Sequence, residues 1–191
     1  MKQKIKVIAV LCVLVSSIVG AYFLYDSLKD NVDGAQLGDV SGNTPSTEDT
    51  NENSELHPAY DFTFYDVNGN QVKLSDFYGK PIILNFWASW CGPCQSEMPA
   101  FDEIYKEYKD EVHFIMLSVD ESFSDATNFI SSNSLSLPIY HDKDYAGSIA
   151  YGANAIPLTY FINKDGYMVV YANFPLDKDM LIQGIDMIYN P

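Results

Sequence analysis

The sequence predicts an α/β protein built on a mixed sheet, and three observations carry that reading. Apolar runs of strand length, "PIILNFWA" at 81–88 and "VHFIMLSVD" at 112–120, alternate with stretches of helical texture. Later, "LTYFIN" and "YMVVYA" flank the turn-forming residues Asn163, Lys164, Asp165 and Gly166, which adds an antiparallel pair to strands joined by helices. The 191 residues are 47% hydrophobic and 14% aromatic, enough to fill one ordinary core.

The elements follow in order from residue 59. "DFTFYDVNGNQVKL" alternates apolar and polar residues about Asn68-Gly69, the signal of a β-hairpin that extends the sheet at its N-terminal end. Residues 75–78 read as a short helical turn. "PIILNFWA" is apolar without alternation, as a central strand covered on both faces must be. Residues 93–108 form a helix, with Phe101, Ile104, Tyr105 and Tyr108 at helical spacing. "VHFIMLSVD" is a second buried strand. Residues 123–132 are a helix, "LPIYHD" a short strand and residues 145–151 another helix. The hairpin at 158–172 comes next. Residues 177–189 close the chain as an amphipathic helix turning Met180, Leu181, Ile185 and Ile188 inward.

Charge narrows the function. With 26 acidic against 11 basic residues the net charge is −15. Phosphate backbones need a basic face, so nucleic acid is excluded as a partner.

The N-terminus departs from this average. Lys2, Lys4 and Lys6 precede an uncharged run from Val7 to Tyr25, 19 residues. As a helix it spans roughly 28 Å, close to a hydrocarbon core. Basic residues before it and acidic ones after it orient the remainder outward. Residues 1–27 therefore read as a signal anchor, a transmembrane helix. A cleaved signal peptide is the alternative, with Val19-Gly20-Ala21 as the small-residue site, although the run exceeds the usual length of such a segment. Cys12 lies inside this run without the small residue expected before a lipidated cysteine. Residues 28–58 are rich in Asp, Glu, Asn, Ser, Thr and Gly and read as a disordered acidic linker, of root-mean-square span roughly 30 Å. The folded domain is expected at 59–191, outside the cytosol, where a dithiol stays reduced only if something reduces it.

With Cys12 assigned to the membrane, Cys91 and Cys94 remain, in "SWCGPCQSEMP". A zinc site needs two further ligands, and His57, His113 and His141 are dispersed along the chain. A purely structural disulfide closing so short a loop removes little unfolded-state entropy. A catalytic dithiol explains more. At a helix start the sulfur of Cys91 meets unsatisfied N–H groups and the positive end of the helix dipole, which favour the nucleophilic thiolate. Cys91 is expected uncovered, where it can meet another protein, with Cys94 shielded one turn further in. Gly92 allows the tight turn, and Pro93 occupies a first-turn position where no hydrogen bond is lost.

These residues resemble the active site of the thioredoxin superfamily. "NFWASWCGPCQSEMP" is similar to its membrane-anchored TlpA/ResA branch of thiol-disulfide oxidoreductases, with the pattern WCxxCxxExP, and the likeness runs from about Ala59 to the C-terminus. A second segment, "AIPLTYFINKDG", resembles the family's apolar-Pro-Thr-Thr-Phe stretch. The resemblance implies a thioredoxin fold with a mixed central sheet flanked by helices. It also implies a cis Ile156–Pro157 bond facing the cysteines, and a helix-and-strand insert of the TlpA/ResA type between residues 120 and 141. It implies that Cys91 attacks a client disulfide and Cys94 resolves the mixed species, with Trp90, Gly92, Pro93, Ile156 and Pro157 touching the client. No metal or organic cofactor is implied. The implied partners are disulfide-containing proteins outside the cytosol, with apocytochrome c among them, and a membrane electron donor of CcdA/DsbD type.

One position departs from the minimal members. Their buried acid on the strand before the dithiol is replaced by Asn85, which cannot take a proton. Glu97 is the candidate proton acceptor, against a plainer reading as a helix-surface or packing residue. Trp87 is expected in the core. Two rival functions stand beside the reductase. A thiol peroxidase of peroxiredoxin type would carry Thr three residues before its reactive cysteine, where this chain has Ala88 before Cys91. A non-catalytic thioredoxin-fold binding module would keep the disulfide as a staple.

Overall fold

The computed structural model describes residues 37–39 and 56–190. Among them lie nine strands: β1 (Gly38–Asp39), β2 (His57–Pro58), β3 (Thr63–Tyr65), β4 (Gln71–Lys73), β5 (Ile82–Trp87), β6 (His113–Ser118), β7 (Ile139–His141), β8 (Leu158–Ile162) and β9 (Tyr167–Ala172). The helices are α1 (Gly92–Tyr108), α2 (Phe123–Ser132), α3 (Ala146–Ala150) and α4 (Lys178–Tyr189), with a 3-10 turn at Leu74–Phe77. One sheet runs in the order β1-β9-β8-β5-β6-β7-β3-β4, and β2 also pairs with β9. β5, β6 and β7 are mutually parallel, while β8, β9 and the β3–β4 hairpin are antiparallel to their neighbours. This is the thioredoxin fold with a mixed central sheet. α2 and β7 form the helix-and-strand insert, and β3–β4 forms the hairpin extension.

β5 sits at the centre because every residue in it is buried. Its pleat sends Ile83 and Trp87 to one apolar cluster, shared with Met98, Phe101 and Ile104 of α1. Ile82, Leu84 and Phe86 go to the other, shared with Phe62, Phe64 and Tyr151. Asn85 has the parity of Ile83 and Trp87, so the strand delivers one polar side chain to the α1 face.

The helices end where local chemistry stops them. Ser122 stands at the N-cap position of α2 without a side-chain cap bond, and Asp177 caps α4 by accepting the amide of Met180 at 2.9 Å. α4 buries Leu181, Ile185 and Ile188 on the sheet. Burial of each such side chain contributes about 1.5–3 kcal/mol, which outweighs the helix penalty of about 1 kcal/mol for Gly184. At the β3–β4 turn, Gly69 takes φ 78° and the Asp66 carboxylate accepts the amides of Asn68 and Asn70.

The fold takes in residues that the sequence reading assigns to the linker. Gly38 pairs with Tyr171 and Asp39 with Val170; His57 then pairs with Met168 and Pro58 with Tyr167. Two pieces of chain thus lie end to end along one edge of β9. Backbone groups on an open edge strand need partners, and any backbone can supply them, whatever its composition. Leu37 and Leu56, the large apolar residues beside these pieces, pack against the core. The apolar run at 7–25, and with it the anchor expectation, lies outside the described residues. No helix among the described residues is long and apolar enough to cross a membrane.

Candidate active site

The site stands where β5 gives way to α1. The turn after Trp87 is held from below: the carboxylate of Asp120, at the end of β6, accepts the amide of Ser89 at 3.0 Å and its hydroxyl at 2.7 Å. Ser118 adds a hydroxyl donor to the same carboxylate at 2.8 Å. Trp90 therefore projects from an anchored loop, and it is 70% exposed. Trp87 is fully buried.

Cys91 caps α1. Its backbone is extended, at φ −83° and ψ 104°, and its sulfur accepts the amide of Cys94 at 3.2 Å. A sulfur takes the part that Ser or Asp usually plays at a helix start, so an orphan N–H points at the Cys91 sulfur. Cys91 and Cys94 are joined by a disulfide, with Cα atoms 5.2 Å apart. Gly92 and Pro93 lie exposed between them, with Pro93 in the first turn.

The second segment closes on the first. The Ile156–Pro157 peptide is cis, and the Ile156 carbonyl oxygen lies 3.7 Å from the Cys91 sulfur. Ile156 is half-buried and Pro157 buried. Cys91 is more enclosed than an uncovered sulfur: the residue is 5% exposed, while Cys94 is not exposed at all. The bond to Cys94 turns the sulfur toward the helix, and the Ile156 carbonyl sits against it. Trp90, Gly92 and Pro93 supply the open surface of the site instead.

Glu97, one turn beyond Cys94 on the same inward face, is buried at 1% exposure rather than on the helix surface. Asn85 donates to its Oε1 at 2.9 Å, and the backbone amide of Leu176 donates to its Oε2 at 2.9 Å. Burial pushes its carboxyl up to about 7, against the opposing pull of the Leu176 and Asn85 hydrogen bonds. The acid missing from β5 is thus supplied from α1, with Asn85 as its partner. Asn85 also donates to Thr159 Oγ1 at 2.9 Å, tying the pair to the strand after Pro157.

The sequence reading missed Asp120, Thr159 and the Leu176 amide. Asp120 had a signal, an acid closing the apolar run of β6. A backbone amide has none. Among the described residues no group of three or more His, Cys, Asp or Glu side chains is placed to hold a metal ion.

Comparison with known proteins agrees with this geometry. The AhpC/TSA family profile matches residues 56–171. The thiol-disulfide oxidoreductase ResA of Bacillus thuringiensis subsp. konkukian is 38% identical over 131 residues, covering 68% of this chain and 76% of that protein. ResA of Bacillus subtilis is 33% identical over 136 residues, covering 71% and 76%. The exposed lipoprotein thioredoxin Etrx1 of Streptococcus pneumoniae superposes with a TM-score of 0.59 at 31% identity, covering 66% of this chain and 98% of that one. With a capping cysteine, a second cysteine one turn in and a cis-proline loop against them, the chain belongs to the AhpC/TSA family and, within the thioredoxin superfamily, is a ResA-like thiol-disulfide oxidoreductase.

Proposed function

We propose that this enzyme works outside the cytosol as a reductase of protein disulfides, held at the membrane by residues 1–27. The observation that carries the reading is the Cys91 cap: the Cys94 amide aimed at its sulfur stabilises an anion there after reduction. Cys91 is the nucleophile. Its thiolate attacks one sulfur of a client disulfide, and the other client sulfur leaves as a thiolate. Cys94 gives its proton to Glu97, then attacks the Cys91 sulfur, releasing the second client thiolate and leaving the Cys91–Cys94 disulfide. A carboxyl poised near 7 suits that proton transfer at neutral pH.

Trp90, Gly92 and Pro93 form the exposed contact surface for the client, and Ile156 with Pro157 offers backbone to an extended segment by strand addition. The protein returns to the dithiol with two electrons from a membrane donor of CcdA/DsbD type. Apocytochrome c is the client suggested by likeness to the ResA branch.

Gly-Pro between the cysteines supports a reducing potential near about −270 mV, the thioredoxin value. Titration in glutathione buffers tests the direction, and a potential near about −120 mV, that of a strong oxidant, overturns it. Cys94→Ser should accumulate mixed disulfides through Cys91 and name the clients. Failure of the wild type to reduce insulin with reductant supplied overturns the catalytic reading.

A further inference from the structure

Beside the dithiol the surface opens into a cavity of about 480 Å³ that reaches from Trp90 to Ala153, in the segment leading to the cis-proline. Trp90 forms one wall; the end of β6 and the start of α2 supply Glu121 and Asp125; Tyr145, the cap residue of α3, closes the far side. The cavity is therefore bounded by the residue next to Cys91, by the start of the insert and by α3 with the segment that follows it.

Its lining divides into used and unused acids. The Asp120 carboxylate is taken up by Ser89 and Ser118, as described above. Glu121 and Asp125 are exposed, and their carboxylates make no hydrogen bond or ion pair within the described residues. No basic side chain lines the cavity. Two exposed aromatic side chains line it, Trp90 at 70% and Tyr145 at 45% exposure. Such a concentration of exposed large apolar side chains around a concave surface marks a place of contact.

We propose that this cavity is a client subsite selecting a basic side chain, Arg or Lys, a few residues from the client's reacting cysteine. The inference rests on the reductase reading and adds the substrate preference of that same site. Trp90, next to Cys91 in the chain, lines the cavity, so a client segment that lies across Trp90 with its cysteine at Cys91 brings a neighbouring side chain to the cavity mouth. A cationic side chain entering it stacks its head or stem on Trp90 or Tyr145 and places its donors between Glu121 and Asp125. An acidic side chain in the same place meets two unpaired carboxylates. The net charge of −15 adds to the discrimination by steering basic segments toward the protein.

The test is single-turnover reduction of synthetic disulfide peptides by the reduced full chain in detergent, followed by tryptophan fluorescence. The peptides are identical except for Arg, Gln or Glu three residues from the cysteine. The expected order is Arg above Gln above Glu, with Arg and Glu separated by about three- to tenfold in second-order rate constant at low salt and less at high salt. In the double variant Glu121→Lys with Asp125→Lys the order should invert in favour of Glu. That inversion is a result mere damage to the loop does not produce. Equal rates for the three peptides, or an order unchanged by the charge reversal, overturns the subsite and leaves the reductase reading standing. No reduction of any peptide by the wild type overturns both.

Discussion

The side-chain amide of Asn85 donates to Oε1 of Glu97 at 2.9 Å, so the one polar residue of the central strand grips the most deeply buried carboxyl of the active-site helix. Glu97 is held neutral or charged by a close balance: burial favours the acid, and two N–H donors favour the carboxylate.

Glu97→Gln resolves that balance. Since the folded carboxyl is raised to about 7 from 4.5, the native state holds its proton more tightly than the unfolded chain. Stability is then fully present below pH 4.5 and is lost as pH rises toward 7, by about 3 kcal/mol in all. Glutamine keeps the shape. Its amide can donate to Asn85 Oδ1, which has no partner among the described residues, once that side chain turns over. Urea unfolding of the oxidised proteins should therefore show wild type losing stability between pH 5 and 8 relative to the variant. The variant should resolve mixed disulfides about 10²-fold more slowly, as loss of a general base requires. Equal pH slopes for the two proteins contradict the buried ionisation.

Asn85→Leu separates holding the carboxyl from being the carboxyl. Removing the amide donor leaves the Glu97 carboxylate less stabilised, so its midpoint moves upward. The pH–rate profile for resolution should shift to the alkaline side while the limiting rate at high pH survives. Thr159 Oγ1 loses the same donor, and the fold should lose about 1–3 kcal/mol. A profile scaled down without a shift would make Asn85 a packing residue only.

Much of this was legible in sequence because it depends on pattern. β5 is read from six consecutive residues without an exposed position, and α1 from apolar spacing behind Cys91. The parity of Asn85 with Ile83 and Trp87, and the spacing of Glu97 three residues after Cys94, place both side chains between strand and helix. The meeting of the two still needed a distance. β1 and β2 were illegible because their pairing with β9 is made by backbone, which carries no residue signature. Tyr145 at φ 55° was illegible too, since nothing in a tyrosine announces a left-handed backbone. The enclosure of Cys91 depends on the carbonyl of Ile156, 65 residues away.

Gly184→Ala tests the packing of α4. A methyl group there meets the buried ring of Phe161 at 2.3–2.6 Å, closer than any real contact. Helix propensity favours alanine by about 1 kcal/mol, and overpacking costs about 1–3 kcal/mol. The clash prevails because Phe161 is fully buried in the central sheet. Thermal unfolding should move downward by several degrees; an unchanged or raised midpoint contradicts the close packing of α4 on Phe161.

Gly38→Val tests the edge pairing. A Cβ at Gly38 falls 2.6 Å from the Tyr171 ring, so a β-branched side chain cannot lie in register there. Hydrogen exchange should show whichever of the Val170 and Tyr171 amides faces β1 losing protection, while the other, bonded to β8, and those of Phe161 and Ile162 keep theirs. Global stability should change by less than about 1 kcal/mol, because only two residue pairs are involved. Unchanged protection at Val170 and Tyr171 contradicts the pairing.

Asp120→Asn tests whether the loop bearing Trp90 is held from β6. The carboxylate accepts from Ser89 N, Ser89 Oγ and Ser118 Oγ at once, and an amide offers one oxygen in place of two. At least one of these donors is then left facing an NH2 group inside a site where Asp120 is 3% exposed. Stability should fall by about 1–3 kcal/mol. The reaction should separate into two effects. Attack by Cys91 on a small disulfide, which needs no aromatic platform, changes little. Reduction of a protein client, which lies across Trp90, slows through a raised KM. Trp90 fluorescence anisotropy should fall as the loop gains freedom, measured in a Trp87→Phe background so that one indole reports. An Asp120→Asn protein with unchanged anisotropy and unchanged KM for insulin would reduce Asp120 to a contributor to stability alone.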